Sequence, residues 1–367
     1  MTIRSLHVDT AQTWRGGQNQ VLLTVQGLES LRHPAVLVAH ERGELKRRAS
    51  EGLRFVGLAP KSEFDVAAGW QLARVIADVK PAVVHAHDPM GVSLAAMALQ
   101  MQHDVTPRPV LVASRRVDFH LKRHAFSRWK YRQVNGFIAA SDVIRQMLID
   151  DGIPADQVVT VHDGVNVSAI DKVPVADVRT TFWLPHGAPV VGNVAALVAH
   201  KGQKHLVAAA ALVVRHMPDV RFVIIGEGEL RPALARQIKE LGLERHVLLA
   251  GFRDDALALV KSLDLCVMSS VTEGLGSAVL EAMACERPVV GTRAGGIPEL
   301  ITDGETGVLV PTQDEPALAG AIQRVLGDDE LRRRLAAAGR ARVVAEFSID
   351  HLVQRTLDAY RRFLGRQ

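Results

Sequence analysis

No apolar run in this chain reaches the roughly 20 positions that a membrane-spanning helix needs. The segment Met1 to Asp9 also lacks the cationic start and long apolar stretch of an export signal, so a cytoplasmic protein is expected. Cysteine is scarce. Cys266 and Cys285 stand alone in apolar surroundings, which excludes a disulfide framework and zinc-type spacing and marks both as core residues. No two aspartates are separated by one residue, so the Asp-x-Asp device for holding a divalent cation is missing and no metal site is expected. A third glycine is missing as well: Gly226-Glu227-Gly228 runs on into Glu229-Leu230-Arg231, which does not complete the dinucleotide fingerprint and speaks against a nicotinamide enzyme.

What is present is an ordinary globular composition, 48% hydrophobic and 23% charged over 367 residues, enough for two domains with two cores. The net charge of +4 is unevenly placed: residues 1–186 hold 22 Lys/Arg against 18 Asp/Glu, and the remainder is balanced. Ser114 to Arg132 concentrates the excess in Arg115, Arg116, Lys122, Arg123, Arg128, Lys130 and Arg132, with Phe119, Phe126, Trp129 and Tyr131 between them. Such a segment fits an anionic acceptor, an acidic bilayer surface on which the protein would rest peripherally, or a solvated helix face. Nothing in the chain reads as a nucleic-acid module.

Short β-branched runs alternate with helical periodicity from end to end. The expected strands are Leu6 to Asp9, Val36 to His40, Phe55 to Leu58, Val83 to His87, Val110 to Ser114, Phe137 to Ala140 and Val158 to His162, then Val190 to Val194, Arg221 to Ile225, Val247 to Leu249, Leu265 to Met268, Pro288 to Gly291 and Gly307 to Val310. Apolar strands separated by helices predict parallel sheets covered on both faces. Thirteen are too many for one such sheet, and the prolines between Lys172 and Pro189 interrupt the pattern. The expectation is an α/β protein of two Rossmann-like, doubly wound domains facing a cleft: residues 1–170, a linker over 171–188, a second domain over 189–347, and a C-terminal helix over 348–367 crossing back to the first domain.

Glu273-Gly274-Leu275-Gly276-Ser277 through Glu281 carries the most chemical information. Gly274 and Gly276 let a backbone turn sharply or a ligand come close, and Ser277 is read as the N-cap of a helix over Ala278 to Cys285. A helix start carries roughly half a positive charge and free amides, which suits a phosphate group. Glu281 offers acceptor oxygens for a ribose diol and Glu273 for the hydroxyls of a second sugar. The spacing alone also fits a plain crossover with two solvated glutamates.

Ligands of doubly wound domains bind at the carboxyl ends of strands. Those positions hold Trp14-Arg15-Gly16-Gly17-Gln18, His85-Ala86-His87-Asp88 and Ser114-Arg115-Arg116 in the first half, and Ala199-His200-Lys201-Gly202, Gly226-Glu227-Gly228 and Gly251-Phe252-Arg253-Asp254 in the second. With His162-Asp163-Gly164-Val165, Glu273-x7-Glu281 and Gly295-Gly296-Ile297-Pro298-Glu299, their order resembles, over nearly the whole chain, the retaining nucleotide-sugar glycosyltransferases of family 4, with GT-B architecture.

The resemblance implies roles for individual residues. Lys201 would bind the donor diphosphate, Glu281 the ribose and Glu273 the donor sugar, with amides around Gly274, Leu275, Gly276 and Ser277 touching sugar or phosphate. Gly16 and Gly17 match the glycine loop near the diphosphate, and Phe252 and Arg253 fall where the nucleobase is met. His87 matches a strand-end histidine on the acceptor side and is grouped with Glu273 and Lys201 as catalytic, while Arg115 and Arg116 are acceptor-binding candidates. In two places the chain departs from the family: Asn193 follows Gly192 where relatives carry an arginine soon after the strand, and Arg115-Arg116 stands where they present a histidine. The implied reaction is transfer from a nucleotide sugar, expected to be a UDP-sugar, to a hydroxyl of a cell-envelope glycan or lipid-linked acceptor, with retention and no metal or other cofactor. A GT-B epimerase and a non-catalytic sugar-nucleotide binder are the alternatives.

Overall fold

All thirteen expected runs form strands, within one or two residues of the boundaries read from the sequence, in a computed structural model that describes residues 2–49, 52–102, 107–122 and 124–366. Arg123 of the basic segment lies outside the described residues. The chain divides into two compact units, residues 1–164 with 349–367, and residues 165–348.

The first unit holds β1 (Ser5–Asp9), β2 (Ala35–Ala39), β3 (Arg54–Gly57), β4 (Val83–Ala86), β5 (Val110–Arg115), β6 (Gly136–Ala139) and β7 (Val158–Thr160), in the order β3-β2-β1-β4-β5-β6-β7. Every pairing is parallel, and β1 sets His7 beside His85 of β4. Helices cover both faces, so consecutive residues of β1, β2, β4 and β5 are buried, where a half-solvated sheet would alternate. The helix Val66–Val79 shows how the covering layer is built. Asp65 caps it by accepting from the Ala68 N–H, Leu72, Ala73, Ile76 and Val79 face inward, and Lys80 ends it in the left-handed region.

The C-terminal helix, Ile349–Leu364, belongs to this first unit. Leu352, Val353, Leu357, Tyr360 and Phe363 recur on its inner face and join the core made by Val21, Val25, Leu28, Leu37 and Val110. A buried ring such as Phe363 is worth about 3–5 kcal/mol when cut back to alanine, which is ample to anchor the last helix.

The second unit holds β8 (Val190–Val194), β9 (Arg221–Ile225), β10 (Val247–Gly251), β11 (Leu265–Met268), β12 (Val289–Thr292) and β13 (Val308–Val310), in the parallel order β10-β9-β8-β11-β12-β13. Its core gathers Leu206, Val213, Phe222, Ile224, Leu265, Val267, Val290 and Ile322. Residues 171–188, expected as a linker, contain the end of one short helix and the whole of another, Val178–Thr181, and are fastened to this unit. The Ala176 N–H donates to the Ala258 carbonyl at 3.1 Å, and Arg179 meets Asp264 at 2.5 Å. Both cysteines are buried, and burial pushes the Cys285 thiol up to about 11, so neither is a ready nucleophile. Among the described residues no helix is long and apolar enough to cross a membrane.

Candidate functional site

Each sheet reverses its strand order once, between β1 and β4 in the first unit and between β8 and β11 in the second. At such a point neighbouring connections leave to opposite faces and open a crevice at the carboxyl ends of the strands. The chemically distinctive residues gather at both reversals.

In the second unit Lys201 follows β8 and Glu273 follows β11, and Lys201 Nζ donates to Glu273 Oε2 at 2.6 Å. Ser270 Oγ donates to the same oxygen at 3.0 Å. The two loops are tied through their backbones as well, because the Val271 N–H donates to the His200 carbonyl at 2.8 Å and Ser269 Oγ to the Lys201 carbonyl at 3.1 Å. Gly202 makes this approach possible: its φ is +64°, and a Cβ there would lie 2.1 Å from the Ser269 carbonyl oxygen. Gly295 does the same on the other side, where a Cβ would meet the Glu273 carbonyl oxygen at 1.7 Å.

The helix behind Glu273 is Ser277–Ala284, and its N-cap is Gly276, not Ser277 as expected from cap propensity. Gly276 adopts the left-handed conformation and moves the helix start one residue earlier. It contributes no side-chain oxygen, so among the described residues no side chain caps the first amides. Gly274 and Leu275 are buried beside them. Glu281 is half-buried one turn further on, in a small pocket shared with Gly192, Val194, Met268 and Ala278. Burial pushes its carboxyl up to about 7, and it has no hydrogen-bond or ion-pair partner among the described residues. Asn193 is buried within β8, donates to the Val267 carbonyl at 2.8 Å and leaves its Oδ1 without a partner among the described residues. Phe252 is exposed, and Arg253 is held by two bonds to Asp255 at 2.6 and 2.7 Å.

The reversal in the first unit is built from histidine. His7 of β1, His85 of β4 and His87 just beyond it share one face of the sheet, with ring centroids 4.0 to 5.4 Å apart. Arg116 donates through Nε to Asp163 at 3.0 Å and through its NH1 group to His87 Nδ1 at 3.3 Å. A guanidinium can only donate, so His87 Nδ1 accepts and the proton of the neutral ring sits on Nε2. His87 Nε2 then donates to His7 Nδ1 at 3.0 Å, and His7 Nε2 to Ser5 Oγ at 3.0 Å. Burial and then the neighbouring Arg116 charge lower His7 to about 3, and His87 is held well below the ordinary histidine value by burial, His85 and Arg116. His85 is bonded on both sides, to Tyr360 Oη at 2.7 Å and Ser114 Oγ at 2.8 Å. The three rings bring ligand atoms within 4.8 Å of one another, a spacing that could hold a cation. All six ring nitrogens are already hydrogen-bonded and Arg116 lies beside them, so the donor set fits a neutral polar network better than a metal centre.

Beside this network, Asp88 accepts from Thr10 Oγ1 at 2.6 Å and the Thr10 N–H at 3.1 Å, while Asp9 accepts from Gln18 Nε2 at 3.2 Å. Burial and the Asp88 charge push Asp9 up to about 6. Gln18 lies in the first turn of the helix Gly16–Ser30, next to the paired glycines. A Cβ added at Gly17 would meet no atom within 4 Å, and its backbone is not left-handed, so the fold itself does not demand a glycine there.

The structure thus brings Lys201, Glu273 and the Gly276-Ser277 helix start together, and His87 with Arg116. It separates Arg115, which is buried with its guanidinium 4.7 Å over the Phe119 ring. Ser270, His7 and Tyr360 join as partners that no motif had singled out, while Asp163 and Ser114, quoted within motifs but given no role, pair with Arg116 and His85. For His7 the signal was present, because a histidine in the middle of an apolar strand must find a polar neighbour on the adjacent strand.

Two doubly wound parallel-sheet units with polar groups at each reversal define the GT-B class of sugar-transferring enzymes. Known proteins agree. The family profile described as Glycosyl transferases group 1 matches residues 179–342, and that described as Glycosyltransferase Family 4 matches residues 14–169. EpsD of Bacillus subtilis (strain 168), by name a candidate glycosyltransferase, is 30% identical over 322 residues, 83% of this chain and 83% of EpsD. The lipopolysaccharide core biosynthesis glycosyltransferase LpsE of Rhizobium meliloti (strain 1021) is 35% identical over 200 residues, 54% of this chain and 56% of LpsE. The crystal structure of Anabaena Alr3699/HepE in complex with UDP-glucose shares the fold with a TM-score of 0.82 at 21% identity, over 97% of this chain and 98% of that one. The chain belongs to glycosyltransferase family 4.

Proposed function

We propose that this enzyme transfers a sugar from a nucleotide-sugar donor, a UDP-sugar, to a hydroxyl of a cell-envelope glycan or lipid-linked acceptor, with retention of configuration and no metal. The observation that carries the reading is the 2.6 Å pair between Lys201 and Glu273 at the β8/β11 reversal, next to a helix start that no side chain caps. In that reading the donor diphosphate takes over the Lys201 ammonium and the first amides of Ser277–Ala284, as preorganised donors do for developing charge. Glu273 then accepts from hydroxyls of the sugar being moved, and Glu281 from the ribose. Asn193, Phe252 and Arg253 complete the donor contacts. UDP as the nucleotide draws on the likeness to Alr3699/HepE, crystallised in complex with UDP-glucose, and the envelope acceptor draws on the likeness to LpsE.

The bond from the sugar anomeric carbon to the phosphate oxygen breaks, the acceptor oxygen bonds to that carbon on the same face, and the acceptor proton passes to the departing phosphate. Arg116 and His87 contact the acceptor in this scheme, His87 as a neutral ring whose two nitrogens are engaged. Arg115, although read with them from sequence, is turned under Phe119 and is given no contact. A thermal-shift panel of UDP, GDP and ADP with their sugars, followed by transfer assays on the best binder, tests the reading. Stabilisation by UDP and transfer with retained configuration are expected. Conversion of the donor without any acceptor would make the protein an epimerase, and binding without turnover a sensor.

A further inference from the structure

The basic and aromatic segment 114–132 turns most of its rings inward: Phe126 and Trp129 are half-buried or exposed only in part, and Lys130 is buried with Nζ 2.7 Å from Glu63 Oε2. Phe119 is the exception at 60% exposed, and a neighbouring segment adds more exposed apolar surface. Phe64, Val66 and Trp70 are 61%, 62% and 58% exposed, although each is large and apolar. Val66, Trp70 and Arg74 follow at helical spacing on the outer face of Val66–Val79, opposite the face that packs in the core. The Phe64 ring lies 4.2 Å from Phe126, which stacks on Trp129 at 5.4 Å, so the two segments form one aromatic strip.

Cations border the strip. Arg74 lies 4.9 Å over the Trp70 ring, Lys61 precedes Phe64, and Arg128 and Arg132 are exposed on the helix Ala125–Arg132. Among the described residues none of these four forms an ion pair within 4.0 Å, although the Lys61 charge acts on Asp65. The acids within the strip are already engaged: Glu63 by Lys130 and Ser93, Asp65 by the backbone amides of Lys61 and Ala68. Lys130 also donates to the Pro89 carbonyl at 3.1 Å, which ties the strip to the residue after Asp88 and so to the carboxyl end of β4.

We propose that this strip docks on an anionic lipid bilayer, with Phe64, Val66 and Trp70 entering the headgroup boundary and Lys61, Arg74, Arg128 and Arg132 at phosphate level. Exposed rings flanked by exposed cations that form no close ion pair are the chemistry of an interfacial anchor. A second copy of the chain fits worse, because a twofold contact would set these cations against one another. The proposal rests on the reading of a lipid-linked or envelope acceptor, and it would hold the end of β4 close to where such an acceptor resides.

Co-sedimentation of the full chain with vesicles of phosphatidylcholine, alone and mixed with phosphatidylglycerol, tests it. Binding to the mixed vesicles only is expected, weakened by salt. Phe64→Ala with Trp70→Ala should lower the affinity about tenfold, and Arg74→Glu with Arg128→Glu about as much or more. Equal binding to both vesicle types, variants that sediment like the parent, or a concentration-dependent dimer that buries Trp70 would each overturn the proposal. Thermal stabilisation by the nucleoside diphosphate that stabilises the parent should persist in every variant. Loss of vesicle binding with that stabilisation intact strikes the surface alone, whereas a parent that no nucleotide stabilises strikes the functional reading.

Discussion

The two units solve the same topological problem with opposite chemistry. Both sheets reverse order once and present residues at the strand ends, yet the first unit fills its reversal with neutral imidazoles and the second with an ammonium and a carboxylate. The difference lies in burial. His7 and His85 sit inside β1 and β4, where a charge would be costly, so each ring stays neutral and spends both nitrogens on neighbours. Lys201, at the end of the 3-10 turn Ala199–Lys201, and Glu273, on a loop, stand beyond β8 and β11, keep a little solvent, and hold charges that a ligand can exchange. A doubly wound sheet fixes where a site can be, and the residues at the strand ends decide what it does.

The largest test of this contrast removes the one cation in the first network. Arg116→Met leaves Asp163 buried without its partner, and a loss of about 3–5 kcal/mol in unfolding free energy is expected from chemical denaturation. Adding Asp163→Asn should recover most of it. A loss under about 1 kcal/mol would show that Arg116 does not organise the network. Lys201→Ala in the second unit should act on function first, lowering the transfer rate about 10²–10³-fold, the scale of one lost oxyanion donor. Full activity of that variant with an identified donor would remove the electrostatic basis of the proposed site.

Most of the architecture was legible because strand runs such as Val36 to His40 and Val190 to Val194 are continuous and apolar, and only a sheet covered on both faces uses such runs. Lys201, Glu273 and Glu281 stood out in an ordered set of motifs, each weak alone, and the structure sets two of them, Lys201 and Glu273, against each other. Partnership was not. That Glu273 meets Lys201, 72 residues away, or that Tyr360 reaches His85 from the last helix, depends on loop and helix packing that no local spacing records. The N-cap slipped by one residue for a related reason: serine is the better capper by propensity, but the chain at Gly276 needs a left-handed turn that serine would resist.

Tyr360→Phe probes the same network more gently. It deletes the hydroxyl 2.7 Å from His85 Nδ1 and keeps the ring that packs edge-on against that histidine. One buried nitrogen is left without a partner, so a loss of about 1–3 kcal/mol is expected, read from the shift in denaturation midpoint at constant slope. Donor affinity should not change, since the Lys201 pair belongs to the other unit. A weaker nucleotide in Tyr360→Phe would mean that the two reversals are energetically coupled.

Glu281 gives the smallest effect and the most specific one. Burial holds its carboxyl protonated up to about 7, against an ordinary value of 4.5, so between those values the folded chain binds a proton that the unfolded chain has released. Stability therefore falls as pH rises through this window, by about 1–2 kcal/mol once the half-buried setting is allowed for. Glu281→Gln should flatten that slope. Nucleotide binding should run the other way, because a ribose hydroxyl donating to the carboxylate favours its ionised form. Affinity for UDP measured by calorimetry should then rise with pH up to about 7 in the parent. In Glu281→Gln, which still accepts a hydrogen bond but cannot ionise, it should not. If both proteins show the same slope, Glu281 does not hold the ribose, and its raised carboxyl is only a consequence of burial.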